Sequence, residues 1–180
     1  MIVRHRHVVA TAAIACVLLG AAPARAATQV ASVNANVVKP LTIKWLQDLD
    51  LGTIVLGTGS WTGATIKISR AGVFSCGASN VTCSGATTVA KYNVTGSNNM
   101  TVRISAPDVT LINQSDVSKT LTLTVDSPGT VVLTSSGAPG NDFPLGGSIT
   151  VNSTTSGGVY RGTFNVTVDY LPAGRRAQRH

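Results

Sequence analysis

Gly158-Val159-Tyr160-Arg161-Gly162-Thr163-Phe164-Asn165-Val166-Thr167-Val168-Asp169-Tyr170 is the stretch whose reading decides the fold class. Tyr160, Gly162, Phe164, Val166, Val168 and Tyr170 share one parity; Val159, Arg161, Thr163, Asn165, Thr167 and Asp169 share the other. Successive side chains of a strand point to opposite faces. Unbroken alternation of this kind therefore predicts one long, half-buried strand from about Val159 to Tyr170.

The same period of two recurs upstream. Leu121, Leu123 and Val125 alternate with Thr120, Thr122 and Thr124; Met100, Val102 and Ile104 alternate with Thr101, Arg103 and Ser105. Shorter versions surround Ile66 and Ile68, Tyr92 and Val94, and Ile149 and Val151. Between them lie turn-forming stretches at 57–59, 96–99, 127–129, 137–142 and 156–158, rich in Gly, Asn, Ser and Pro. No segment carries a helical period. Glu is absent, and only 12% of residues are charged, against ~25% in a typical globular chain. Long surface helices use Glu and Lys on their wet face, so an all-helical fold is excluded. The expected fold is all-β, an immunoglobulin-like antiparallel sandwich formed by one domain over residues 39–171.

The two ends of that domain are complementary. After Tyr170 come Leu171-Pro172-Ala173-Gly174, which cannot supply the further strand that an immunoglobulin-like sandwich requires. The sandwich is therefore expected to lack its last strand. At the other end Ala31, Val33, Ala35 and Val37 alternate with Ser32, Asn34 and Asn36, and Lys39-Pro40 interrupts the pattern before Leu41 and Ile43. Residues 27–38 thus read as an additional strand of small apolar residues.

The first 26 residues read as a leader. Arg4 and Arg6 precede an uncharged apolar run, Val8 to Ala22; Pro23 breaks it, and Ala24-Arg25-Ala26 has the small-x-small pattern cut by signal peptidase. The run is shorter than the ~20 residues of a membrane span, so export with cleavage is preferred to an anchor. Loss of Arg4, Arg6 and Arg25 takes the net charge from +7 to +4, and setting aside Arg175, Arg176 and Arg179 leaves +1 for the body. The basicity belongs to the leader and to a tail at 172–180, expected to be disordered. The remaining cations are scattered, unlike the clustered basic face of a nucleic-acid binder, and no nucleic-acid partner is expected.

Chemistry is restricted as well. The three His residues are His5, His7 and His180, so no Ser-His-Asp triad can form in the body. No enzyme activity, catalytic residue, metal or cofactor is expected. Asp48 and Asp50 are close enough to share a strand face and bind Ca²⁺, but a solvated strand end is the preferred reading. Cys76 and Cys83 are the pair left after processing, and in an exported chain they are expected to form a disulfide; a zinc site would lack two ligands. Trp45 and Trp61 are expected in the core, or, in a sugar-binding module, on the surface.

Four segments carry a resemblance. Asp48-Leu49-Asp50-Leu51-Gly52-Thr53-Ile54 resembles the LxFGxI signature of bacterial pilin-like domains. Gly146-Gly147-Ser148-Ile149-Thr150-Val151 resembles their GGxLxV segment, and Gly158 to Tyr170 resembles their closing GxYxGxFxVTVxY strand. With Tyr92-Asn93-Val94-Thr95-Gly96, these resemble the domain-of-unknown-function family forty-four-oh-two over about residues 30–171. That family is similar to spore coat protein U and to subunits of archaic chaperone–usher pili.

The resemblance implies a pilin-like sandwich with an open groove in place of its last strand. A periplasmic chaperone fills the groove first, an outer-membrane usher exports the subunit, and the N-terminal segment of another subunit then takes the chaperone's place. On this chain the donor would be residues 29–37, presenting Ala31, Val33, Ala35 and Val37. The groove would be lined in part by Phe164, Val166 and Val168. The expected function is an exported structural subunit of a surface pilus, fimbria or coat, passing through the periplasm to the cell surface and polymerising with itself or related subunits. The alternatives are that residues 29–37 form the first strand of their own domain, or that the chain is a self-contained secreted adhesin or carbohydrate-binding module.

Overall fold

The computed structural model describes residues 27–77 and 79–172; the expected leader and all of the expected tail except Pro172 lie outside the described residues. The chain divides into a unit ending at Asn36 and a unit beginning at Val37. Residues 27–36 carry no strand, and Val30 and Val33 are exposed. Among the described residues, 27–38 pair with no strand. A strand exists through the ladder it makes, and this segment makes none.

The second unit is an all-β sandwich. Its strands in chain order are β1 (Thr42–Gln47), β2 (Thr53–Leu56), β3 (Ala64–Ile68), β4 (Phe74–Cys76), β5 (Val81–Ser84) and β6 (Ala90–Thr95). There follow β7 (Thr101–Ser105), β8 (Val109–Asn113), β9 (Thr120–Asp126), β10 (Thr130–Val132), β11 (Asn141–Val151), β12 (Tyr160–Arg161) and β13 (Thr167–Tyr170). The ladders are antiparallel. The main path runs β1-β6-β11-β9-β8-β12, with β3 added to β11 and β4 to β3; β10-β7-β13 and β2-β5 are separate ladders.

Strand β11 is the spine. It pairs with β6 through Asn141–Leu145, with β9 through Gly146–Ser148, and with β3 through Gly147–Val151. The change of partner falls at Gly146. A Cβ there would collide with the Ile68 carbonyl oxygen and the main chain of Ser69 and Arg70, so the close approach requires glycine.

Each half of β11 feeds its own core. Phe143 and Leu145 join Ala90, Val94, Val102, Ile104 and Leu133 between β6/β11 and the β10-β7-β13 ladder. Ile149 and Val151 join Ala64, Ile66, Val81, Val109 and Leu123. The period-two residues of the sequence are the ones buried: Val102 and Ile104, and Ile66 and Ile68, are each at most 2% exposed.

Two sequence expectations are corrected. The stretch 137–142 was expected to be a turn throughout, yet Asn141 and Asp142 begin β11. Asn141 belongs in a strand here because its buried side chain is fully used. Its Oδ1 accepts from the Thr134 and Ser135 amides at 2.7 and 3.2 Å, and its Nδ2 donates to the carbonyls of Val94 and Ser135 at 3.2 and 2.8 Å. The expected continuous strand over 159–170 is instead two strands, β12 and β13, paired with β8 and β7 respectively. Between them, residues 162–166 have no ladder partner among the described residues, and burial alternates from Thr163 to Val166.

The Cys76–Cys83 disulfide forms as expected, with Cα atoms 6.0 Å apart, and joins β4 to β5. It ties the small β2-β5 ladder to the main sheet. The loop spans only 7 residues of sequence, so the bond removes little entropy from the unfolded chain. The Cys76→Ser/Cys83→Ser protein is expected to lose ~2–3 kcal/mol at most in urea titration and to keep the fold. Complete unfolding of that variant would mean that the bond, and not the apolar contacts of Ile54 and Leu56, holds the ladder in place.

Candidate functional site

The first core cluster is open on one side. Leu49, Leu51, Ile54, Leu56, Leu111, Leu121 and Phe164 pack against it but remain partly exposed. They face a cleft of about 1210 Å³. One wall is the chain from Gln47 to Ile54, which leads from β1 into β2. The other is Thr155 to Phe164, which includes β12. Leu121, Leu123, Ile149 and Val151 of β9 and β11 also line it, as do Ala90 and Tyr92 of β6 and Leu111 of β8. Small-molecule pockets run to ~300–1,000 Å³, so this cleft exceeds the usual size for a compact ligand.

The walls are placed by backbone bonds. Asp50 and Thr88 exchange main-chain hydrogen bonds of 2.9 Å each, and the Asp50 carboxylate accepts from the Gly52 amide at 2.8 Å. Gly52 has φ +73°, a left-handed conformation open to glycine, which turns the chain into β2. On the opposite wall the Gln114 amide donates to the Val159 carbonyl at 2.8 Å, and the Tyr160 hydroxyl donates to the Ser156 carbonyl at 2.7 Å.

Among the described residues, strand β1 pairs with β6 on one side and has no strand on the other, and β13 likewise pairs with β7 alone. In β1, Ile43 lies opposite Val94 and Trp45 opposite Tyr92. Directly opposed residues share a sheet face, so Ile43 and Trp45 are on the core side with Val94. Val94 is fully buried, yet Ile43 is 43% and Trp45 57% exposed. The core-facing side of β1 is uncovered.

Trp45 therefore departs from the expectation that both tryptophans lie in the core. Its Nε1 donates to Asp48 Oδ1 at 3.0 Å. Trp61 is half-buried against the first cluster, with Nε1 donating to the Gly57 carbonyl at 3.3 Å. Tyr92 stacks on Phe143 with ring centres 5.7 Å apart and lines the cleft. Burial, and then the Asp48 carboxylate, pushes its phenol above the ordinary range, so it presents a neutral hydroxyl.

The residues singled out from the sequence separate. Phe164 lines the cleft and packs against both clusters; Val166 and Val168 are half-buried against the second cluster and are not part of the cleft lining. Val37 is 90% exposed, and Ala31, Val33 and Ala35 are exposed as well. Asp48 and Asp50 each serve a separate local bond, and among the described residues no three His, Cys, Asp or Glu side chains gather. The Gln47–Leu56 wall was missed as a lining element. The alternating Leu49 and Leu51 were its signal, visible only as a motif.

The arrangement suits an extended apolar segment. It offers partly exposed apolar side chains, together with main chain at Gly162 to Phe164 that belongs to no ladder among the described residues. The family model described as "Domain of unknown function (DUF4402)" matches residues 41–170. No curated protein and no solved structure matches the chain.

Proposed function

We propose that this chain, which belongs to the family described as Domain of unknown function (DUF4402), is an exported structural subunit of a surface pilus, fimbria or coat, and that its cleft accepts a β-strand donated by a second copy. The observation that carries the reading is the opening of the first core cluster into a cleft of mixed polar and apolar lining, next to a stretch, 162–166, that has no ladder partner among the described residues. A missing strand leaves those two features together: uncovered side chains and main chain outside any ladder.

Residues 29–37 supply what is missing. They are exposed and alternate small apolar with polar residues, so that, once in a strand, one face can enter a cleft while the other stays wet. Each valine buried contributes ~1.5–3 kcal/mol, and each ladder hydrogen bond adds ~0.5–1.5 kcal/mol. A donor with Val33 and Val37 at depth and a ladder along 162–166 would leave slowly. The role needs no catalytic residue and no cofactor. It implies a periplasmic chaperone and an outer-membrane usher as transient partners, and the leader at 1–26 as the route of export. The resemblance to spore coat protein U and archaic pilins points the same way.

The test is the state of the full-length protein purified without a chaperone. Ladders of increasing mass that resist the denaturing gel until boiled are expected. A protein strictly monomeric at high concentration would overturn the reading.

The exposed indole of Trp45 favours one alternative, a secreted sugar-binding module, since exposed aromatic faces are what a saccharide stacks upon. The two readings separate in a saccharide titration followed by tryptophan fluorescence. No change is expected for a strand acceptor, and a saturable change would favour the sugar-binding module.

A further inference from the structure

Strands β9 and β11 pair with each other only through Thr124–Asp126 and Gly146–Ser148. Beyond that ladder both continue, β9 to Thr120 and β11 to Val151, but each is paired from its far side, β9 by β8 and β11 by β3. The two strands part there. A pocket of about 330 Å³ opens, with Thr120 and Leu121 on one side and Thr150 and Asn152 on the other. It adjoins the larger cleft, and Tyr160 lines both.

The chemistry of this pocket is unlike that of the cleft. Leu121 is the one lining residue whose side chain has no hydroxyl, amide or ammonium. Lys119 carries the one charge in the lining, and no carboxylate lines it among the described residues. Asp116, three residues earlier, accepts from the Ser118 amide and hydroxyl at 3.0 and 2.7 Å, and among the described residues Lys119 forms no ion pair.

Both rims are held by hydrogen bonds. The Lys119 amide donates to the Asp116 carbonyl, and the Lys119 carbonyl accepts from the Asn113 amide, each at 2.9 Å. Across the pocket Asn152 Oδ1 accepts from the Thr154 amide at 2.9 Å and the Thr154 hydroxyl at 2.8 Å. Asn152 Nδ2 has no partner among the described residues and keeps both hydrogens to offer. The Tyr160 hydroxyl donates to the Ser156 carbonyl at 2.7 Å, so its oxygen is left to accept.

We infer that this pocket binds a uronic acid unit of an acidic saccharide, its carboxylate on Lys119 and its hydroxyls on Thr120, Thr150 and Asn152. The inference goes beyond the strand-acceptor reading and does not depend on it. A polyol needs partners that both donate and accept, and hydroxyl groups do both. One ammonium matches one carboxylate through a charge-assisted bond. A neutral sugar leaves that ammonium unanswered, and a simple carboxylate leaves the hydroxyls unanswered. Leu121 and the Tyr160 ring supply an apolar surface for the C–H face of a pyranose. The volume is at the lower end of small-ligand sites, ~300–1,000 Å³, which suits one unit and not a long chain.

The test uses the full chain and ligand-observed saturation-transfer NMR, which reads a weak ligand on an assembly as well as on a monomer. Neither tryptophan lines the pocket, so fluorescence is not the readout. The probes are the methyl glycosides of glucuronic and galacturonic acid, their neutral counterparts methyl glucoside and methyl galactoside, and acetate. Saturable binding of at least one uronide is expected, with its neutral counterpart about tenfold weaker and acetate unable to displace it. Lys119→Gln should weaken the uronide about tenfold and leave the neutral glycoside unchanged, the scale of one charge-assisted bond. Lys119→Arg should restore most of the loss. The bonds that Lys119 makes to the protein are main-chain, so neither variant should move the melting temperature. Thr120→Trp, at an exposed position of β9, fills the pocket and should abolish binding.

No saturable uronide signal, equal binding of uronide and neutral glycoside, or a uronide signal untouched by Lys119→Gln and Thr120→Trp would overturn the inference. Full displacement by acetate would reduce the pocket to a bare anion contact and overturn it as well. Deletion of residues 27–38 should leave uronide binding unchanged; its loss would assign the sugar to the assembled cleft and overturn the pocket. Absence of ladders with uronide binding intact would sink the strand-acceptor reading alone.

Discussion

Removal of residues 27–38 is expected to abolish assembly completely and to leave the sandwich folded. The segment contributes no strand and no core residue, and the first ladder begins at Thr42. Its loss therefore costs the fold nothing that the described structure contains. If the cleft takes this segment from another copy, the truncated protein should run as one monomeric band where the full-length protein gives ladders. A synthetic peptide of residues 27–38 should then raise the melting temperature of the truncated protein, because a ligand that binds the native state alone stabilises it by mass action. At a peptide concentration a hundred times its Kd the gain is ~2.7 kcal/mol, equivalent to several degrees for a domain of this size. Val33→Asp in the full-length chain should reproduce the truncation, since an unpaired carboxylate cannot enter an apolar cleft cheaply. A peptide that leaves the melting curve unchanged, with ladders that form regardless of residues 27–38, would end this account.

Phe143→Ala is expected to have the largest effect on stability. Phe143 is 2% exposed in β11, stacks on Tyr92, and sits among Val94, Val102, Ile104 and Leu133. Truncating a buried phenylalanine removes its transfer energy and leaves a cavity that surrounding strands cannot collapse to fill, a cost of ~3–5 kcal/mol. Domains are stable by only ~5–15 kcal/mol, so the variant should unfold at far lower urea and could fail to accumulate. Val117→Ala, at a site 77% exposed, provides the contrast and should change stability by ~0.5 kcal/mol or less. A loss below 1 kcal/mol in Phe143→Ala would mean that the second cluster is not a close-packed core.

The β-rich fold was legible because its signal is local. Alternation at Val102/Ile104, Ile66/Ile68 and Leu121/Leu123 states which side of each strand is apolar, and those sides face the cores. The short strands β4, β5 and β10 were not legible. Three or four residues are too few to display a period, and they are strands because β3, β2 and β7 lie beside them. The candidate site was legible only in part. Phe164 was named through the resemblance of the closing strand to pilin-like domains, and it lines the cleft, whereas Val166 and Val168, named with it, do not. The opposite wall, Leu49 to Leu56, was not found, because a lining residue and a core residue look alike until the neighbour that should cover them proves absent.

The sequence by itself determined the all-β class, the direction in which each alternating residue faces, the Cys76–Cys83 pairing, and the exclusion of any His-dependent chemistry from the body. These depend on periods of two, on short separations along the chain, or on composition. The tertiary structure alone decided that residues 162–166 find no ladder partner among the described residues, that Trp45 lies uncovered on the core side of β1, that β11 changes partners at Gly146, and that Lys39, Ser97 and Tyr170 close into one ring of hydrogen bonds. The physical reason is that a side chain's facing follows from its own backbone, whereas its burial and its hydrogen bonds follow from which distant strand arrives beside it. Tyr170 and Lys39 meet across 131 positions of chain, a distance over which no local pattern carries information.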